Sequence, residues 1–176
     1  LVLAAILVSA AILLLVAANW EAIPRLLRVA GIVALIWVFY LAAAACLGRG
    51  FKAMGAALLV LATMTFGGAI ALVGQMYHLS GDTTDALLAW FAAACVAAVA
   101  FRSAALAVFC GFLAWAIFGE LVVDNDASFE GNGYIYLVPM LIVIVIALVR
   151  YTNAGIARHL AYLLALAWLG WFYIEL

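Results

Sequence analysis

The chain has 176 residues, of which 73% are hydrophobic and 9% charged, and its formal net charge is −1. An ordinary soluble domain is roughly 45–50% apolar and 25% charged, so this composition excludes a soluble enzyme, a nucleic-acid binder and a disordered tail. Mean hydropathy is +1.39, and most of the surface is expected to face lipid.

A membrane-crossing helix needs about 20 mainly apolar residues. The punctuation predicts seven spans, 1–18, 25–47, 53–78, 83–101, 104–121, 134–149 and 156–174. The first has no basic start and is longer than the ~7–15 apolar residues of a signal-peptide core, so it reads as a span. The chain begins with Leu1 inside an apolar run, and it is expected to be a fragment of a longer protein. Asn19 to Pro24 breaks the first two spans, with Pro24 suited to an early helical position. Gly48-Arg49-Gly50 separates spans two and three, Ser80-Gly81-Asp82 spans three and four, and Arg102-Ser103 spans four and five. Val123 to Gly133 is the one long polar loop. Seven spans leave roughly 36 residues for loops. The expected fold is therefore all-α: a polytopic integral membrane helical bundle of about seven transmembrane helices, with 1–176 as a single domain.

Charge supports this threading. The loops on the starting side carry Arg49, Lys52, Arg102, Arg150 and Arg158 and no acids. All eight acids fall on the other side, with Arg25 and Arg28. The positive-inside rule makes the basic side cytoplasmic, with the N-terminus there. The expected location is a membrane, crossed many times. Trp20, Tyr77, Tyr134, Tyr136, Trp171 and Tyr173 suit an interfacial belt at the acidic side. Helices two to four and five to seven share no polar positions, so no inverted repeat is visible.

The most informative stretch runs from Gly67 to Asp85. At 100° per residue, Gly67, Ala71, Gln75 and His78 fall within about 80° of one another. Small residues let a neighbouring helix approach closely, so Gln75 and His78 are expected to face the bundle. Asp82 and Asp85 follow at once. One reading makes them caps: Gly81 ends one helix, Asp82 caps the next, and Asp85 sits at the third position of a capping-box-like Asp-Thr-Thr-Asp. The other makes Gln75, Tyr77, His78, Asp82 and Asp85 an outward polar pocket, completed by Arg25, for an ion, a proton relay or a polar ligand. One histidine and two aspartates could ligate a metal, but this spacing does not identify one.

Other candidates are weaker. Cys46, Cys95 and Cys110 lie in apolar runs with no CxxC pair, and they read as buried or lipid-facing thiols rather than a zinc site or redox dithiol. His159 reads as interfacial. Lys52, the single lysine, is at a helix end, which excludes a retinal-type Schiff base. His78 and His159 lie toward opposite faces and cannot share one haem. No nucleophile–base set, HExxH, GxSxG or P-loop is present, so nothing asks for an enzyme and no cofactor is expected.

Asn19-Trp20-Glu21, Ile23-Pro24, the run Gly68 to Asp82 with its Gln75, Tyr77, His78, Gly81 and Asp82, and Leu87-Leu88-Ala89-Trp90 resemble a bacterial family of predicted membrane proteins known only as a domain of unknown function (number 2157). The resemblance covers roughly residues 1–120, and it implies a multispan protein in which Gln75, Tyr77, His78, Gly81 and Asp82 form one feature. It implies no activity or ligand. The expected partners are the lipid bilayer and a membrane protein or second copy, with no nucleic acid. The leading expectation is a structural or accessory subunit of a membrane assembly. The alternative is a transporter or sensor that binds an ion or small polar ligand around His78 and Asp82.

Overall fold

The computed structural model describes residues 24–77, 82–123 and 137–175. Among these residues there are six helices: α1 (Arg25–Gly48), α2 (Lys52–Tyr77), α3 (Thr83–Phe101), α4 (Ala104–Val123), α5 (Leu137–Thr152) and α6 (Gly155–Glu175). All but α5 are long and apolar enough to cross a membrane, and α5 is a shorter apolar helix. The all-helical membrane bundle is as the sequence predicts. The predicted first span, 1–18, and most of the polar loop lie outside the described residues.

Three tight turns place the helices antiparallel, each with one residue in the left-handed region. Gly50, at φ 85°, follows α1, and the Phe51 N–H donates to the Cys46 carbonyl at 2.9 Å. Arg102, at φ 46°, ends α3, and the Ser103 N–H donates to the Ala98 carbonyl at 3.1 Å. Both bonds reach back five residues, the closing bond of a Schellman cap. Ser103 then starts α4, its hydroxyl accepting the Leu106 N–H at 3.4 Å. Asn153, at φ 58°, stops α5. The span predicted to end at 149 therefore continues to Thr152. Arg150 marks a charge, not a helix end: its long side chain can reach the interface from within the last turn. Asn153 is the residue whose backbone tolerates the turn.

Helix α4 is the centre. It packs against α2, α3, α5 and α6, and its buried residues include Leu106, Cys110, Ile117 and Leu121. Trp115 reaches from α4 to α6, where its indole N–H donates to the Leu160 carbonyl at 3.1 Å. Gly111, one turn earlier, leaves room for the Leu160 side chain; an added Cβ would lie 3.0 Å from its Cδ1. Helix α1 lies at the edge and packs along α2. Its outward face carries Trp37 and Leu41, both more than 60% exposed. Lipid is the solvent that such a face suits.

A second indole bond joins α3 to α2. Trp90 Nε1 donates to the Thr63 carbonyl at 2.8 Å. Thr63 is fully buried, and its hydroxyl donates to the Leu59 carbonyl at 2.9 Å. A hydroxyl has one proton, so the 3.3 Å bond between Tyr40 Oη and Thr63 Oγ1 has Tyr40 as donor. Tyr40 also stacks on Phe101 with centroids 5.9 Å apart. One threonine in the middle of α2 thus holds α1 and α3. The Trp90 ring lies directly over Gly67, where a Cβ would collide with the indole.

Gly67→Ala should therefore lower unfolding free energy by about 1–3 kcal/mol through overpacking. Gly68→Ala, where an added Cβ meets nothing within 4 Å, should leave it unchanged or raise it by up to ~1 kcal/mol, because alanine is the better helix former. Unfolding in mixed detergent micelles measures both. Equal effects at the two glycines would contradict the Trp90 contact.

Candidate functional site

The buried stripe of α2 runs through Gly55, Leu59, Ala62, Thr63 and Gly67, and no described residue of α2 beyond Gly67 is buried. Trp90 closes the α2–α3 contact at Gly67. Beyond it, toward the Asp82 end, the helices leave a groove of about 800 Å³. Phe66, Ile70, Ala71, Val73, Gly74 and Trp90 line it, and Asp82 and Asp85 stand at its rim. An apolar body with a few polar groups at one end is the usual make-up of a small-molecule site.

Asp82 sits before the first turn of α3 in extended backbone, and its Oδ1 accepts the Thr84 N–H at 3.0 Å. This is the expected cap, satisfying one of the helix's free N–H groups. Asp85 lies in the first turn, where the helix dipole favours a carboxylate. Both carboxylates are exposed, while Thr84 between them is buried. The cap therefore leaves one Asp82 oxygen, and the Asp85 carboxylate, open toward the groove mouth.

The other predicted site residues are placed as follows. Gln75 is exposed, which corrects the expectation that it faces the bundle. It is turned about 80° around the helix from Gly67, and that rotation takes it off the stripe Trp90 closes. Ala71, on the same predicted face, lines the groove and is exposed rather than covered. His78 lies outside the described residues, as does Gly81. Arg25 begins α1 and Tyr77 ends α2; for both, only the backbone is described. Asp82 and Asp85 are the site residues that the structure brings to one place.

Two features were missed in the sequence. The first is the Thr63 node. Its signal was Gly67, one turn after a threonine, in a small-residue face that calls for a large partner. The second is a thiol pair. Cys95 on α3 and Cys110 on α4, free thiols within the apolar bundle as expected, lie with their sulfurs 3.7 Å apart. Cys95 and Cys110 stand seven residues either side of Arg102-Ser103. That symmetry about a tight turn brings two positions of an antiparallel pair level, a signal that a search for CxxC overlooks. No group of three or more histidine, cysteine or acidic residues that could hold a metal occurs among the described residues.

A family model described as "Predicted membrane protein (DUF2157)" matches residues 1–107. No curated protein and no solved structure matches. The matched region takes in α1, α2, α3 and the groove between the last two.

Asp82→Ala should lower stability by about 1 kcal/mol through loss of the cap, whereas Asp82→Asn should keep almost all of it, because asparagine caps equally well. Thermal unfolding of the two variants separates a cap from a required charge. A loss in Asp82→Asn as large as in Asp82→Ala would show that the charge itself stabilises the fold.

Proposed function

The chain belongs to this family of predicted membrane proteins, and from that premise we propose that it is a structural or accessory subunit of a membrane assembly. One observation carries the reading: the polar groups inside the bundle are spent on holding the bundle together. Among the described residues, no buried side-chain nitrogen or oxygen lacks a hydrogen-bond partner. Thr63, Trp90 and Trp115 tie helix to helix, and Thr65 and Thr152 bond back to carbonyls of their own helices. Ionisable groups used for transport generally face a bundle interior or water-filled cavity. Here Arg49, Lys52, Arg102, Arg150 and Arg158 are exposed at one set of helix ends, and Asp82 and Asp85 at the other. The positive-inside rule supports a cytoplasmic basic face, and so a cytoplasmic N-terminus, in a bacterial inner membrane. A body of this kind acts through its outer surfaces, toward a membrane-protein partner or a second copy.

The groove between α2 and α3 favours a second reading, a sensor or transporter. Its lining suits a ligand with an apolar body and a cationic head at Asp82 and Asp85, more than the bare ion or small polar solute that the sequence pointed to. The two readings part in one experiment. Purified protein is screened for thermal stability across pH, metal ions and amphiphilic cations, beside Asp82→Asn and His78→Ala. The subunit reading expects no saturable shift in any sample, and a fixed stoichiometry with a partner or second copy after native extraction. A lone monomer whose stability rises saturably with one ligand, and loses that response in Asp82→Asn, overturns it in favour of the groove.

A further inference from the structure

We propose that Cys95 and Cys110 form a dithiol that a lipid-soluble quinone oxidises to a disulfide at a groove between α3 and α5. The pair is built rather than incidental. Small residues, Ala94 and Ala98 on α3 with Ala107 and Gly111 on α4, are buried beside it and let the two helices approach closely. The sulfurs are 3.7 Å apart. A disulfide needs about 2.05 Å, so oxidation has to draw the two sulfurs together from this thiol–thiol contact distance.

Access to the pair is one-sided. Cys110 is fully buried, and Cys95 is half-buried. Cys95 lines an apolar groove of about 620 Å³, with Val96, Val99, Ile144, Leu148 and Tyr151 among its walls. It lies about 10 Å along the helix from the Arg102 turn. An oxidant must therefore arrive through lipid. A charged, water-soluble disulfide does not suit these walls; a flat apolar ring does. The Arg102 guanidinium lies 4.7 Å from the ring centroid of Tyr151, one of the groove's walls. There it offers N–H donors, and a quinone carbonyl accepts them. The electrons balance: the two thiols lose two protons and two electrons as the S–S bond forms, and the quinone takes both pairs to become a hydroquinone. The disulfide then ties α3 to the central helix α4.

The test uses the whole chain in proteoliposomes, reduced and held anaerobic, with a short-chain ubiquinone analogue added. Remaining thiols are tagged with a polymer-bearing maleimide after denaturation. The chain has three cysteines, so the reduced protein takes three tags. After quinone, one tag is expected, at Cys46. Cys110→Ser should hold two tags before and after. Val99→Trp, which fills the groove from an exposed position, should slow quinone-driven closure by about tenfold, because access governs thiol oxidation. The same variant should close at the wild-type rate with copper–phenanthroline and oxygen. Three tags after quinone overturn the proposal, whether or not copper–phenanthroline closes the pair. So does closure by dissolved oxygen alone at the quinone rate, or a quinone rate unchanged in Val99→Trp.

Discussion

In hydrocarbon a buried hydrogen-bond donor must find its acceptor within the protein, because no water reaches it. Helices satisfy their own backbone, so each carbonyl inside a span has one lone pair left over. The Trp90 and Trp115 indoles use two of these, on Thr63 and Leu160. Each bond sits beside a glycine: Gly67 makes room for the Trp90 indole, and Gly111 for the side chain of Leu160, whose carbonyl Trp115 bonds. The same device therefore fixes α3 to α2 and α6 to α4. Around the first, the Thr63 hydroxyl adds Tyr40 and α1. Apolar contact holds lipid-bathed helices together weakly, since lipid tails are as apolar as leucine; close packing and bonds of this kind select the arrangement.

The positions of the two clasps determine what is left open. Trp90 closes the α2–α3 contact at Gly67 and leaves the Asp82 half of that interface as a groove, with the Asp82 cap at its mouth. The short Arg102-Ser103 turn holds the last turns of α3 level with the first turns of α4, and that alignment sets Cys95 beside Cys110. Neither feature needs a charge in the core. Among the described residues the charges stay toward the helix ends, where the turns are, which is consistent with a body whose interior is structural and whose surfaces and grooves are where it meets other molecules.

The helices were legible because hydropathy in lipid is a one-dimensional constraint: a run of about 20 apolar residues has one place to go. The predicted 83–101 matches α3, and the predicted 25–47 and 53–78 each fall within one residue of α1 and α2 at either end. The end of α5 was missed because a charge was read as a stop, while backbone geometry at Asn153 stops the helix. The Asp82 cap was legible because it is local, a side chain bonding to a backbone two residues away. Gln75 was not. A stripe of small residues says that a neighbour can approach, and only the neighbour's position, here Trp90 over Gly67, says how far along the helix it does. The thiol pair and the Thr63 node depend on register between helices, which the hydropathy of a single segment does not contain.

The central claim is that indole N–H bonds to backbone carbonyls, rather than indole bulk, hold this bundle. The direct test replaces Trp90, Trp115 or Trp37 in turn with benzothienylalanine, which keeps the shape of tryptophan and has sulfur in place of the N–H. Unfolding free energy in mixed micelles should fall by about 1 kcal/mol at positions 90 and 115 and stay unchanged at Trp37, which is 63% exposed. Full stability at position 90 without the N–H would contradict the account and leave shape alone as the force that joins α3 to α2.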